Sequence, residues 1–173
     1  MDPLTSINNR RYFDEHAAEL LHNAAQKNQP FALLMIDLDH FKSINDSYGH
    51  LCGDEALVLT AVKLEEFFEF SEDSIVARFG GDEFIVLTKI TPGETAKTIT
   101  ESLYRELKTL SLLVNEEIVN LQFSIGVSTN DDGKITEVEQ IIKNADNALY
   151  TSKRNGRNQI TLYKHYNDIG KSI

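Results

Sequence analysis

Tryptophan is absent, cysteine occurs once and proline three times in 173 residues. The single Cys52 excludes an internal disulfide framework and any cysteine-based zinc cluster, and it suits a reducing compartment, so the expected location is cytoplasmic. With the prolines scattered and no repeat or low-complexity run, there is no domain boundary to draw. Long apolar stretches are also missing. The longest, Phe31 to Ile36, falls far short of the roughly 20 residues that a membrane helix requires. The N-terminal stretch lacks an apolar centre and carries Arg10 and Arg11 on the wrong side for a signal peptide. Basic residues are outnumbered 17 to 27, and a net charge of −10 repels phosphate backbones and anionic lipid headgroups. Non-specific nucleic-acid or membrane binding is thereby disfavoured.

What is present is enough apolar material, 41% of residues, for one sizeable core. A helical pattern from Asn8 to Asn28 places Phe13, Ala17, Leu20, Leu21 and Ala24 on one face. Phe31 to Ile36 is short and uniformly apolar, as a strand covered on both faces would be, and it stops at Asp37. A short helix is expected around Phe41 to Ser47 and a longer one from Gly53 to Phe70. Two strands follow, Ser74 to Phe79 and Glu83 to Thr88, joined by Gly80-Gly81-Asp82 as a hairpin. Then come a helix from Glu94 to Leu110, an alternating strand from Gln122 to Ser128, a helix from Thr136 to Ser152 and a closing strand from Gln159 to Tyr163. The expectation is an α+β fold over residues 1–163, its first strand beside the hairpin, with 164–173 as a C-terminal tail.

Four segments bear chemistry. Asp37 and Asp39 end the buried strand, where two carboxylates repel one another unless a hard cation neutralises them. Strands also end in Asp because it caps a following helix, and Asp39 could do only that. An EF-hand fails here, since its turn glycine and terminal glutamate would fall on Lys42 and Tyr48. A glycosyl or nucleotidyl transferase built on Asp-x-Asp passes this test. In Arg78 to Phe84, Gly80-Gly81 makes a turn or lets backbone approach a ligand, and Asp82 or Glu83 would meet Asp37 if the strands pair, a carboxylate clamp for Mg²⁺. Asn45 with Asp54 could read a guanine edge, His50 lying between them, or these residues could simply make turns and a helix cap. Lys153, Arg154 and Arg157 suit a helix C-terminus and could also hold a terminal phosphate. Gly170-Lys171-Ser172 imitates the end of a phosphate loop but has His165 where the first glycine belongs. His16 and His22 have no ligand spacing.

Taken together these segments resemble the diguanylate cyclase, or GGDEF, domain family, whose name-giving motif stands as Gly80-Gly81-Asp82-Glu83-Phe84. Asp2 to Thr5 with Asn9, Arg10 and Arg11 matches the family's opening, and Asp37 to Lys42 through Asn45 and His50 to Asp54 its central block. Ser124 to Val127, Ala145 to Tyr150 and Lys153 to Asn158 complete the order. The resemblance implies a palm-like fold with a central, mostly antiparallel sheet among helices, and condensation of two GTP into cyclic di-GMP with release of two pyrophosphates. It implies Mg²⁺, with Mn²⁺ as substitute, on Asp37, the Leu38 carbonyl and Asp82, and it gives Asp82 and Glu83 a role in hydroxyl deprotonation. Lys42 would stabilise developing phosphate charge beside the backbone amides of His40 and Phe41. Guanine would meet Asn45, His50 and Asp54 between Leu4 and Leu57, and Lys153 and Arg157 would hold the outer phosphates.

The resemblance also implies that one domain holds one GTP, so turnover needs a second copy, usually paired by an upstream sensory or dimerising module. Such a module could anchor a longer protein to a membrane. In one respect the chain departs from the family: its product-inhibition site, Arg-x-x-Asp, falls on Ser71 and Ser74, which carry neither charge. The alternative is a catalytically silent GTP-binding signalling module.

Overall fold

The structure, a computed structural model, describes residues 1–164. His165 and Gly170-Lys171-Ser172 lie outside the described residues. The chain runs β1 (Asn8–Asn9), α1 (Arg10–Lys27), β2 (Phe31–Leu38), α2 (Phe41–Tyr48), α3 (His50–Phe68), β3 (Ile75–Gly80) and β4 (Glu83–Lys89). It continues through α4 (Ala96–Leu107), β5 (Ser111–Val114), β6 (Glu117–Asn120), β7 (Phe123–Thr129), a 3₁₀ turn at Asp131–Gly133, α5 (Val138–Arg154) and β8 (Ile160–Leu162). Six strands form one mixed sheet in the order β1-β3-β4-β2-β7-β8, and β5 and β6 pair separately.

All eight residues of β2 are buried, which explains a run with no polar alternation. The period of two sorts its side chains into two cores. Ala32, Leu34, Ile36 and Leu38 pack with Leu57 and Leu64 of α3 and Leu103 of α4 on one face of the sheet. Phe31, Leu33 and Met35 pack with Phe13 and Leu21 of α1 and Ile141 and Leu149 of α5 on the other. Antiparallel neighbours β4 and β7 flank β2, while β1–β3 and β7–β8 pair in parallel. The expected adjacency of the first strand and the hairpin is therefore found, with Asp37 opposite Glu83.

Several sequence expectations shift. Helix α3 begins at His50, three residues before Gly53, because Gly49 at φ +94° ends α2 and opens α3 without a break in the chain. Asp54 thus sits inside the helix and caps nothing, and Asn45 lies inside α2 rather than in a turn. Asp39 does not cap α2 either: the N-cap is His40, and no side chain caps it. Helix α4 stops at Leu107, and the β5–β6 hairpin follows, turning on Asn115 and Glu116, both at positive φ.

Candidate active site

At the carboxyl end of β2, the sheet opens into a cavity of about 390 Å³ lined by Asp37, Leu38, His40, Phe41, Lys42, Asp82, Glu83, Lys153 and Arg157 among others. Larger clefts of about 470 and 750 Å³ lie beside α3 and between α1 and α5, and neither contains Asp37, Asp82 or Lys153. Four elements meet at the smaller cavity: β2 ends there, the β3–β4 turn leans over it, α2 starts from it and α5 ends beside it.

The turn is held by backbone and side chain together. Leu38 N–H donates to the Asp82 carbonyl at 3.2 Å, which extends the β2–β4 pairing into the turn. Gly80 and Gly81 take φ of +130° and +53°, and the Arg78 guanidinium donates to the Gly81 carbonyl from Nε at 3.1 Å and Nη2 at 2.7 Å. The same guanidinium pairs with Asp2 at 3.1 Å, and Asp2 in turn accepts from the Thr5 N–H and hydroxyl. Arg78 was not singled out as a site residue from sequence. Its signal was only its place before the glycines.

Asp37 is 6% exposed, and its Oδ1 is buried without a partner among the described residues. Its Oδ2 pairs with Lys153 Nζ. Burial first, with repulsion from Asp82 added, pushes the Asp37 carboxyl up to about 7 against the downward pull of Lys153. Glu83 is raised as well, by burial first, with Asp146 and Asp82 adding repulsion that Lys153 and Arg10 oppose. Burial would lower Lys153, but Asp37, Glu83 and Asp82 outweigh it and raise it. One ammonium thus faces three carboxylates. The formal excess of two negative charges and the orphaned Asp37 oxygen are what a hard divalent cation would satisfy. Among the described residues no group of three or more His, Cys, Asp or Glu side chains could cage a metal alone. Asp37 and Asp82 offer the one or two carboxylates that Mg²⁺ takes, the rest of its shell being water and substrate phosphate.

Asp39 is the exception among the carboxylates. Its Oδ1 accepts from Ser124 Oγ at 2.7 Å and its Oδ2 from Asn158 N–H at 2.8 Å, so protein donors satisfy both oxygens. A metal reading of Asp39, or a transferase built on Asp37-x-Asp39, therefore has no free second carboxylate to use.

Lysine 153 reaches Asp37 because α5 lies directly on β7. A Cβ on Gly126 would stand 2.2 Å from Ala145 O and Leu149 N, so only glycine admits the helix at this distance. Lys42 and Arg157 are exposed on the cavity wall, and His40 and Phe41 flank it at the start of α2.

Beside this cavity α2 packs on α3. Asn45 is half-buried, and among the described residues its Oδ1 is the other buried side-chain oxygen without a partner. Gly53 makes room for it: a Cβ there would fall 1.8 Å from Asn45 Oδ1 and 3.2 Å from Phe41 Cε1. Asp54 follows, half-buried, and His50 is exposed at the head of α3. Leu57 is fully buried in the α3-side core, and Leu4 packs against that core half-exposed. Ser71 and Ser74 stand together in the loop before β3, with Ser74 Oγ donating to the Ser71 carbonyl at 3.2 Å.

A family model described as "Diguanylate cyclase, GGDEF domain" matches residues 1–159. The probable diguanylate cyclase DgcC of Escherichia coli K12 is 39% identical over 158 residues, 91% of this chain and 42% of that protein. Diguanylate cyclase A of Treponema denticola is 35% identical over 168 residues, 95% of this chain and 44% of that protein. The chain thus spans less than half the length of these curated relatives. The crystal structure of the GGDEF domain of DgcB from Caulobacter crescentus, solved with c-di-GMP, is similar at a TM-score of 0.85 and 28% identity, covering 95% of this chain and 96% of that one. With the family match running from the first strand through α5 and so taking in the glycine turn and the carboxylate-lined cavity, the chain belongs to the diguanylate cyclase GGDEF domain family.

Proposed function

We propose that this domain is a catalytically competent diguanylate cyclase that condenses two GTP into cyclic di-GMP, each nucleotide held by one of two facing copies. The observation that carries the reading is the gathering of Asp37, Asp82 and Glu83 around Lys153 in one cavity, with an Asp37 oxygen left unpaired. Asp37, the Leu38 carbonyl and Asp82 would hold Mg²⁺, or Mn²⁺ in its place. When bound, the ion supplies charge neutralisation at the phosphate oxygens.

The chain's own groups do the rest. In each copy the 3′-hydroxyl oxygen of one GTP bonds to the α-phosphorus of the other, the bond from that phosphorus to pyrophosphate breaks, and the hydroxyl proton leaves. Glu83, raised by burial and neighbouring carboxylates, is suited to take that proton with Asp82. Lys42 and the amides at the start of α2 meet the charge that builds on the phosphates. Lys153 and Arg157 hold the outer phosphates, and Asn45 and Asp54 meet guanine, the unpaired Asn45 oxygen being free for a base N–H, with His50 nearby and Leu4 and Leu57 as apolar backing. Alignment and charge are sufficient for phosphoryl transfer of this kind, which needs no covalent enzyme intermediate.

The test is purified protein at several concentrations with GTP and Mg²⁺, products separated and identified by mass, and Asp82→Ala alongside. Cyclic di-GMP rising more than proportionally with protein and vanishing in the variant is the expected result. GTP binding without product at any concentration would replace the cyclase reading with a silent GTP-binding module.

A further inference from the structure

Asp39 lies two residues beyond Asp37, is 4% exposed, and spends both oxygens on protein donors. One donor is the N–H of Asn158, which follows Gly156 and Arg157 just after α5. Gly156, Arg157 and Asn158 have φ of +110°, +64° and +50°, three successive left-handed residues of which two bear a Cβ. L-residues resist this conformation, so something outside the turn must hold it.

Two elements do. Asp39 anchors the Asn158 N–H from the end of β2. From α4, the Tyr104 hydroxyl lies 2.7 Å from the Asn158 carbonyl and 2.8 Å from its Oδ1. Arg157 is pinned through its backbone, its N–H donating to the Ser152 carbonyl at 3.0 Å and its carbonyl accepting from Gln159 Nε2 at 3.0 Å. Its guanidinium makes no hydrogen bond or ion pair among the described residues, and it stands on the wall of the cavity. The main chain is fully constrained and the charged end is free.

We propose that Asp39 and Tyr104 are positioning residues that clamp Asn158, hold the Gly156–Asn158 turn left-handed and so aim Arg157 at the outer phosphates of the nucleotide. The inference rests on the phosphate role of Arg157 proposed above. It gives α4 a part in substrate binding, although no α4 residue lines the cavity. It also explains a buried aspartate beside the metal pair that neither binds metal nor caps a helix.

The readout is affinity for two probes: a GTP analogue with a methylene bridge between the α- and β-phosphorus, and GMP, which lacks the outer phosphates. Tyr104→Phe removes one hydroxyl from the half-exposed end of the clamp and keeps the ring, so the fold survives. It should weaken the triphosphate analogue about threefold to tenfold and leave GMP within about twofold, the size expected for one lost hydrogen bond acting through a charged group. Asp39→Asn cannot accept from both donors and should repeat the pattern. Arg157→Ala should lose the analogue as well, and Tyr104→Phe added to it should cost nothing more, because the clamp acts only through Arg157. Equal weakening of both probes by Tyr104→Phe, or losses that multiply in the double variant, would overturn the inference. A silent Tyr104→Phe beside a damaging Arg157→Ala sinks the clamp and leaves the phosphate reading standing; a silent Arg157→Ala sinks both.

Discussion

Asp82 adds to the repulsion felt by Asp37 and Glu83 in a cavity where the Lys153 ammonium stands among the three carboxylates. Asp82→Asn keeps the shape and deletes the repulsion. In chelator the variant should be more stable than the parent by about 1 kcal/mol, or roughly 2–4 °C for a chain of this size, while Mg²⁺ should raise the parent's melting temperature and leave the variant's nearly unchanged. Melting curves of both proteins with EDTA and with Mg²⁺ decide it; a parent that ignores Mg²⁺ would remove Asp82 from the metal site. Single residues also mark what reading the chain alone can miss. Asp37 and Asp39 are equivalent in sequence, two carboxylates at a strand end. Only the neighbours, Lys153 for one and Ser124 with Asn158 for the other, separate the proposed metal ligand from the proposed clamp. Gly53, the expected start of the helix, is instead an interior helical glycine that leaves space for the Asn45 amide. A glycine inside a helical stretch is the signal that could have revealed it.

Helix α5 and strand β7 are the pair on which the site depends. Their separation is set by Gly126, since any side chain there would strike the α5 backbone near Ala145 and Leu149. Gly126→Ala forces the helix outward along the sheet and should cost about 2–3 kcal/mol, read as a lower urea midpoint at unchanged slope. It should also weaken GTP binding, because Lys153 moves away from Asp37; a stable variant with full affinity would show that the helix tolerates the shift. At this scale β2, α1, α5 and the β3–β4 hairpin were legible, each carrying a clean period or an uninterrupted apolar run. The β5–β6 hairpin was not. Leu113 and Ile118, cross-strand partners, are 74% and 70% exposed while Leu112 is buried, so both faces carry apolar residues and no alternation remains to read. The start of α3 is not legible because two glycines, Gly49 and Gly53, offer the same boundary signal and only the first is the boundary.

For the whole molecule, the proposed reaction needs two copies, and a net charge of −10 on each makes their approach costly. The proposed super-linear dependence on protein concentration should therefore steepen at low salt, where repulsion is least screened. Product feedback is expected to be absent at the loop before β3. Ser71 and Ser74 offer hydroxyls where the family's inhibitory site has an arginine and an aspartate, so added cyclic di-GMP should not slow the initial rate through this loop. Ser71→Ala with Ser74→Ala should leave the product's effect on rate unchanged; a loss of inhibition in that variant would restore a binding site there.

By itself the sequence determined the family, the order of elements and the residue types at the site, because these rest on periodicity and on short motifs whose chemistry is local. The tertiary structure decided which carboxylates face one another, why Lys153 can reach Asp37, and what holds Arg157. Those depend on register between β2 and β4, on the closeness of α5 to β7, and on contacts between residues as far apart as Asp39 and Asn158, none of which a local pattern encodes.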